Sequence, residues 1–381
     1  MTKSLKPTMN WRSPVGIHII VMSCIFAYLS AFSGASFLPE KYLRDARTIR
    51  MFIDSTPVAL SESPFGRTAD LYRHLSFLGG QEAMGLIAIT LFSILSYKCL
   101  PKGAPVLWHA VILAAGFVLA GMYLAVYSKD FFVVPLVLLF VYLRPTWKWE
   151  VLWIGVVLWY ASILRANWLV VAAVYVAMRL ILKISKSLSA AWAWTVALLL
   201  LMAIVFYVFL GESLHFHRYD VTENIGMDIN TKIVDPIEIP GVLGSFLNGV
   251  YSFVVFLFPV ELALMGSPIY ILAAVFIGVA WYLLFRKLRV VLKSDHAEQS
   301  VLFWRVTALL LSYTLVQSLY APDWGAYLRH ITPLIPLFAV VLGTTTGTPV
   351  IRKARKKKVR PAPLKHNQPS RLTQDYLKGK I

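Results

Sequence analysis

The stretch Ile163-Leu164-Arg165-Ala166-Asn167-Trp168 lies in the middle of a long apolar run, from Val151 to about Leu182. Arg165 is the only charged residue between Glu150 and Arg179. One membrane span needs about 20 apolar residues, so the run fits two short spans folded as a hairpin. A charge at the bilayer centre costs about 2.5–3.5 kcal/mol or more. We therefore expect Arg165 and Asn167 at the hairpin tip, at one membrane face. The simpler explanation is a snorkelling arginine that only marks a boundary.

The composition of the chain predicts its fold class. Hydrophobic residues make up 58% of the 381 residues and charged residues only 15%. A soluble domain has about 45–50% apolar and about 25% charged residues. The apolar runs are too long for barrel strands, which are about 9–11 residues of alternating polarity. The sequence therefore predicts an all-α polytopic membrane protein.

Basic residues between the apolar runs predict the topology. The bias of Lys and Arg towards the cytoplasm predicts about ten transmembrane helices, with both termini cytoplasmic. Two long polar segments, 38–80 and 211–244, are then extracytoplasmic loops. If the segment 244–265 crossed the membrane, the later basic residues would lie outside, so we expect a re-entrant segment broken at its glycines and its proline.

The first polar loop carries signals for short helices. Leu43, Ala46, Ile49 and Ile53 have helical spacing, which predicts a helix on the membrane surface over 42–53. A turn is expected at 63–66 and a second helix over 68–77.

The carboxyl-terminal part differs from the rest of the chain. Residues 1–350 are predicted to form the integral membrane domain and residues 351–381 a disordered cytoplasmic tail. From residue 350 onward there are eleven Lys and Arg residues and one acid, Asp375. Such a cluster attracts anionic lipid head groups. A nucleic-acid partner is not expected, because no folded nucleic-acid-binding module accompanies the cluster.

Most of the unusual polar residues fall on the predicted outer face. The candidates for catalysis are Arg165, Arg329, His330, His217 and Asp220. The candidates for substrate binding are Asp70, Arg73, Lys129, Asp130, Asn167, Arg218, Glu261 and Tyr327. Guanidinium groups offer paired donors that suit phosphates, so such a face fits a lipid-linked diphosphate. Taken alone, Arg73 is better explained as an anchor of its helix end at the head groups. Arg165 and Arg329 favour function, because each lies in a short outer turn, against the bias of basic residues towards the cytoplasm.

A general base is expected among the histidines and acids of the same face. His215, His217, Asp220 and His330 are the candidates for deprotonating a sugar hydroxyl. The His215-x-His217 spacing is weak evidence for a metal site, and neither a metal nor a cofactor is expected. The chain has no glycine-rich nucleotide loop or hydrolase elbow, which disfavours an enzyme that uses nucleotides.

Five short motifs follow one another in a recognisable order. They are Ala69-Asp70-Leu71-Tyr72-Arg73, Ser128-Lys129-Asp130-Phe131-Phe132, Arg165 at the end of a central span, Phe258-Pro259-Val260-Glu261, and Tyr327-Leu328-Arg329-His330-Ile331-Thr332-Pro333. In this layout, over about residues 15–345, the chain resembles bacterial polysaccharide polymerases of the Wzy type and their EpsG-like relatives. It departs from them at the hairpin, where Arg-Gln is expected and Arg165-Ala166-Asn167 is found.

The resemblance implies a membrane glycosyltransferase that polymerises undecaprenyl-diphosphate-linked oligosaccharide units. The product would be a surface polysaccharide, such as an O-antigen, a capsule or an exopolysaccharide, made at the outer face of the bacterial inner membrane. Other polysaccharide export proteins are partners that the resemblance allows.

Two alternatives share this topology. One is a GT-C glycosyltransferase that uses a polyprenyl-phosphate sugar. Such enzymes usually carry an acidic pair in the first outer loop, and 38–80 contains no two adjacent acids. The other is a flippase of lipid-linked oligosaccharides or another transporter, for which basic residues along a central cavity and a repeat are expected.

Overall fold

The computed structural model describes residues 14–55, 63–100, 107–216, 218, 232–293 and 301–343. The predicted tail 351–381 lies outside these residues, as do His217 and Asp220. The helices are α1 (Pro14–Phe32), α2 (Glu40–Asp54), α3 (Pro64–His74), α4 (Gln81–Cys99), α5 (Leu107–Tyr123), α6 (Val133–Tyr142), α7 (Trp147–Ile163), α8 (Asn167–Ile184), α9 (Leu188–Leu210), α10 (Gly241–Leu257), α11 (Val260–Leu264), α12 (Pro268–Lys293), α13 (Val301–Tyr320), α14 (Trp324–Ile331) and α15 (Ile335–Gly343). Short 3₁₀ turns cover Ser76–Leu78, Lys129–Phe132 and Thr332–Leu334. Across the described residues the regular structure is helical, with an isolated β-bridge between Lys232 and Asp323.

Six segments are long and apolar enough to cross a membrane. They are α4, α8, α9, α12, α13 and the continuous stretch Trp324–Gly343, which contains α14 and α15. Three shorter apolar helices are His18–Phe32, Leu107–Tyr123 and Gly241–Leu257. Large apolar side chains on α9, such as Val208 and Phe209, are exposed, as lipid-facing residues are. The chain is therefore a multi-pass helical membrane protein, and the count of ten spans stays a prediction.

The helix α13 forms the centre of the bundle. Its side chains from Arg305 to Leu319 are buried all the way round, and it packs against α8, α10 and α15. An outer helix packs against other helices on one face only, whereas α13 packs against other helices on every side. Near the two ends of this helix, Arg305 and the backbone of Ser318 form hydrogen bonds inside the protein.

The predicted hairpin is present, and Arg165 lies at its tip, as expected. The helix α7 ends at Ile163 and α8 begins at Asn167. No glycine or proline makes this turn. The fully buried Trp168 instead fixes it by packing between Tyr160 and Tyr313, with ring centroids 5.7 and 5.3 Å away.

At the amino-terminal end of α7, a group of charged side chains joins the hairpin to α13. Glu150 accepts hydrogen bonds from the Tyr175 hydroxyl and, at 3.0 Å, from Arg179 Nε. The buried Arg305 lies 3.6 Å from the same carboxylate and donates to the carbonyl of Leu143 at 3.2 Å. The hairpin is thus tied to the central helix at the end opposite its tip.

The first polar loop folds much as its spacing predicts, with one correction. The first predicted helix is α2 and the second is α3; the position of α2 at the membrane surface stays a prediction. The turn expected at 63–66 is wrong, because Ser63 is the amino-terminal cap of α3. Its hydroxyl accepts from the Gly66 amide at 3.0 Å, and Pro64 occupies the first turn, where its missing N–H costs nothing.

The segment 244–265 is interrupted at its proline, as expected, but not at Gly244 or Gly249, which lie inside a continuous helix. The helix α10 ends at Leu257, the backbone leaves helical geometry at Phe258 and Pro259, and the five-residue α11 follows. The re-entrant path of this segment through the membrane stays a prediction.

Candidate functional site

Asp130 is the centre of an ionic cluster in which four elements meet. Its side chain is fully buried in the 3₁₀ turn before α6. Arg165 Nη1, at the hairpin tip, donates to Oδ1 at 2.7 Å. From α14, His330 Nδ1 lies 3.0 Å from Oδ1 and Arg329 Nε lies 3.3 Å from Oδ2. The predicted candidates Asp130, Arg165, Arg329 and His330 therefore converge.

The fourth element is α2, which brings a second carboxylate. Asp45 Oδ2 lies 2.5 Å from Arg329 Nη1 and 3.8 Å from Lys129 Nζ. The Lys129 ammonium also lies 3.6 Å from the centre of the Phe65 ring, on α3. We call Asp45, Lys129, Asp130, Arg165, Arg329 and His330 the Asp130 cluster.

Hydrogen bonds from α3 fix the turn that carries Lys129 and Asp130. The Tyr72 hydroxyl donates to the Ser128 carbonyl at 2.9 Å and accepts from the Ser128 amide at 3.2 Å. The Ser128 hydroxyl in turn accepts from the Asp130 amide at 3.1 Å. Since Tyr72 is 3% exposed, these bonds have no competing water. The tyrosine in the first motif thus positions the acid in the second.

The Asp130 cluster carries more positive than negative charge. Lys129, Arg165 and Arg329 face two carboxylates, Asp45 and Asp130. Burial raises the pKa of Asp130, but the charges of Arg165 and Arg329 and the hydrogen bond from His330 outweigh burial and hold that pKa well below its usual range. Burial lowers the pKa of Lys129 to about 8, although Asp45 opposes this shift. Asp130 is therefore ionised at neutral pH, and Lys129 is mostly charged.

The geometry of His330 distinguishes its two ring nitrogens. Two groups compete for Nδ1: the Asp130 carboxylate, which only accepts, lies 3.0 and 3.2 Å away, and Arg165 Nη2, which only donates, lies 3.3 Å away. We assign the proton to Nδ1 because both carboxylate oxygens are closer. Nε2 is then the basic nitrogen, and among the described residues it has no hydrogen-bond partner. The Tyr313 hydroxyl donates to the His330 carbonyl at 3.0 Å, which fixes the backbone. A carboxylate that orients a histidine in this way is a common arrangement for general-base catalysis.

A second buried cluster lies elsewhere in the molecule and contains another predicted residue. Arg218 Nη1 donates to Asp235 Oδ1 at 2.9 Å, and Nη2 donates to the Ser318 carbonyl at the end of α13. His215 Nδ1 lies 3.4 Å from Asp235 Oδ2. We call His215, Arg218 and Asp235 the Arg218 cluster. Burial lowers the pKa of His215 to about 4, with Arg218 adding to the shift, so this histidine is neutral.

The helix α14 connects the regions of the two clusters. Asp323 caps its first turn by accepting from the Ala326 amide at 2.8 Å. The same residue pairs with Lys232 in the β-bridge, close in sequence to Asp235. Arg329 and His330 lie in the last turn of α14. Arg329 follows Asp323 by six positions, about 9 Å along the helix, so a short helix links a structural contact to the Asp130 cluster.

Asp70 and Arg73 contact one another instead of the Asp130 cluster. Arg73 Nη1 lies 2.5 Å from Asp70 Oδ1 within α3. The same guanidinium donates to the Phe52 carbonyl, to Ile53 at 3.1 Å and to Ser55 at 2.6 Å. This pair holds the end of α2 against α3.

The other predicted binding residues are spread over several elements. Asn167 begins α8, two residues after Arg165. Glu261, in α11, accepts from the Tyr251 hydroxyl. Tyr327 is fully buried and donates to the Phe256 carbonyl at 3.1 Å, so it joins α14 to α10.

One member of the Asp130 cluster was missed from the sequence. Asp45 lies next to Ala46 in α2, at the edge of the apolar face that Ala46 and Ile49 form. An acid at the boundary of a buried helix face needs a partner, which is the signal that would have identified it.

Neither comparison with known proteins nor the arrangement of metal-binding side chains assigns a function to this chain. The chain matches no family model, no curated protein and no solved structure at a significant level. Within the described part of the chain, no group of three or more His, Cys, Asp and Glu residues is arranged to hold a metal ion. The function is therefore argued from the geometry of the cluster.

Proposed function

We propose that this protein polymerises lipid-diphosphate-linked oligosaccharides by glycosyl transfer at the Asp130 cluster. The observation that carries the proposal is the convergence of Arg165, Arg329 and Lys129 around one histidine–carboxylate pair, Asp130 and His330. Glycosyl transfer from a diphosphate requires these two functions next to each other. Cations stabilise the leaving group, and a base activates the acceptor.

The positive charge suits a diphosphate leaving group. Arg165 and Arg329 supply planar guanidinium groups that donate to phosphate oxygens in pairs. Their side chains are 9% and 18% exposed, and that of Lys129 is 14% exposed. The groups are therefore largely desolvated, which strengthens their attraction for an anion, and yet each presents some surface from which an anion can be bound.

The pair of Asp130 and His330 suits the activation of a sugar hydroxyl. Asp130 holds the proton on Nδ1, so that Nε2 takes the proton of the acceptor hydroxyl. The acceptor oxygen then forms a bond to the anomeric carbon of the donor. The bond from that carbon to the phosphate oxygen breaks, and the diphosphate leaves with the electron pair. The products are an elongated oligosaccharide and a polyprenyl diphosphate, whose charge the three cations hold.

The surroundings of the cluster fit a substrate with a lipid tail. The cluster lies where the turn before α6, the hairpin tip, α2 and the end of α14 meet. Elsewhere in the same part of the chain, the end of α1 and the turn after α3 carry exposed apolar residues, Phe32 and Phe77. A lipid tail can remain in the bilayer while its head group reaches the cluster. Within this proposal, the cluster faces the outer side of the bacterial inner membrane, and both termini, with the basic tail 351–381, are cytoplasmic.

The test is to give purified protein in liposomes a lipid-diphosphate oligosaccharide and to separate the products by size. Wild-type protein produces a ladder of longer glycans. The variants Arg165→Ala and Arg329→Ala lose the ladder and remain folded, whereas Arg47→Ala, on the exposed face of α2, retains it. Substrate that crosses the bilayer without elongation would indicate a flippase. Elongation only with a polyprenyl-monophosphate sugar would indicate the GT-C alternative. Full activity of both cluster variants would exclude the Asp130 cluster as the site.

A further inference from the structure

The helix α2 lies against the Asp130 cluster and places Asp45 in it. Asp45 reaches the two cations that have the most exposed side chains in the cluster, Arg329 and Lys129. A carboxylate and a phosphate compete for the same donors. We propose that Asp45 occupies part of the diphosphate site in the resting protein, and that substrate binding displaces it and lifts α2. This inference rests on the proposed function and adds a lid to it.

The charges support the displacement. With Asp45 in place, the three cations and two carboxylates leave one positive charge in excess. With Asp45 withdrawn, Lys129, Arg165 and Arg329 face Asp130 alone, and a second positive charge becomes available. A diphosphate diester carries one negative charge on each of its phosphoryl groups, so it neutralises the cluster only after Asp45 has left.

Asp45 also lies nearer to solvent than Asp130 does, although its Oδ2 atom, which contacts both cations, is itself buried. Its side chain is 23% exposed, whereas that of Asp130 is fully buried. An ion that leaves a buried pair without hydration leaves an uncompensated charge and a large penalty. Asp45 instead moves towards solvent, and the incoming anion takes over its partners.

The attachments of α2 allow such a movement. Its carboxyl-terminal end is held by Arg73, which binds carbonyls of Phe52, Ile53 and Ser55. Its middle is held by the fully buried Ile49, and its amino-terminal half by Asp45, by the small buried side chain of Ala46 and by the partly buried Leu43. The link from α1 makes a tight turn in which Gly34 and Ala35 have φ values of +57° and +55°. The Arg73 contacts then form a pivot, and the Asp45 contact is the latch.

The first experiment measures binding of inorganic pyrophosphate to the full-length protein in nanodiscs by calorimetry. It is done at pH 6.5, because removal of Asp45 lowers the pKa of Lys129 further and that lysine must stay charged. Asp45→Asn is expected to bind pyrophosphate about fivefold or more tightly than wild type, a typical size for coupling between sites. The matched control is Asp54→Asn, which removes an exposed acid from the same helix and leaves binding unchanged. Equal or weaker binding by Asp45→Asn would contradict the proposal that Asp45 occupies part of the diphosphate site.

The second experiment follows the lid in protein that keeps Asp45. Ala46→Cys, introduced after replacement of Cys24 and Cys99 by alanine, places a thiol under α2, where Ala46 is 4% exposed. Pyrophosphate is expected to accelerate its reaction with a maleimide several-fold. The control Ala88→Cys, in α4, is not accelerated. An unchanged labelling rate at saturating pyrophosphate would show that α2 does not move.

The two proposals fail in different ways. If Arg165→Ala and Arg329→Ala still bind pyrophosphate like wild type, the cluster is not an anion site and the proposed function loses its basis. If these variants lose binding while Asp45→Asn binds no more tightly than wild type, only the lid is wrong.

Discussion

The Asp130 cluster and the Arg218 cluster are built from the same residue types with opposite results. Each has a carboxylate that gathers an arginine and a histidine. In the Arg218 cluster, the side chains of His215, Arg218 and Asp235 are only 1–3% exposed, and among the residues that the structure describes one arginine faces one carboxylate beside a neutral histidine. The Asp130 cluster has an excess of cations, and several of their side chains reach the surface. Charge balance and burial from solvent, more than residue identity, therefore distinguish a cluster that stabilises the fold from one that can bind a ligand.

The largest expected effect is on stability, at the Arg218 cluster. Arg218→Ala leaves Asp235 buried without its arginine, which costs about 3–5 kcal/mol of unfolding free energy. Denaturant unfolding in detergent measures this loss, and pyrophosphate binding by the fraction that stays folded is expected to match wild type. A loss of binding without a loss of stability would reverse the roles assigned to the two clusters.

The next effect is on catalysis, at the Asp130 cluster. His330→Gln removes the basic nitrogen and is expected to lower kcat for polymerisation by about 100-fold or more. Since Nε2 is assigned to the acceptor, the dissociation constant of pyrophosphate should change by less than about twofold. Parallel kinetic and calorimetric measurements separate these two effects. A variant with normal kcat would mean that another group is the base.

A smaller effect is expected from pH. Because burial lowers the pKa of Lys129 to about 8, its positive charge is complete well below pH 8 and is lost as pH rises through this value. Sulfate remains a dianion over this range, so its affinity is expected to fall between pH 7 and pH 9 by up to about tenfold. The control Lys129→Met should bind sulfate weakly and independently of pH. A flat profile for wild type would contradict the role of this lysine.

The smallest effect is expected at the support of the Asp130 turn. Tyr72→Phe removes the hydroxyl that bonds both backbone groups of Ser128, which is expected to cost about 1–3 kcal/mol and to slow polymerisation a few-fold. Tyr28→Phe removes a comparable hydroxyl contact, with Thr90 at 3.2 Å, outside the cluster, and should not affect polymerisation. Equal rates for both variants would show that the turn keeps its position without Tyr72.

The hairpin and the helix α2 were predictable from the sequence because each depends on local physical chemistry. One arginine in a long apolar run must reach an interface, and its neighbours Ile163 and Asn167 indeed end and begin helices. The spacing of Leu43, Ala46, Ile49 and Ile53 likewise predicts the buried side of α2. Both patterns follow from the cost of placing charge in lipid and from helical periodicity.

The composition of the two clusters was not predictable in the same way. Arg165, Arg218 and Arg329 look equivalent in the sequence, since each is a basic residue near the end of an apolar segment. Their partners come from residues that are distant in the chain, such as Asp45 for Arg329 and Asp235 for Arg218. The packing of separate helices decides which arginine faces an excess of charge, and no local pattern records this.

Lys129 gives the Asp130 cluster a chemical property beyond ion binding. With a pKa of about 8, a far larger share of its amines is unprotonated near neutral pH than for an ordinary lysine, whose pKa is about 10.4. An unprotonated amine is a nucleophile, and this one lies 3.6 Å from the centre of the Phe65 ring, which provides a surface for an aromatic reagent. The residue that holds an anion in the resting protein is therefore also a point of selective acylation, through which a covalent inhibitor or a label can be attached.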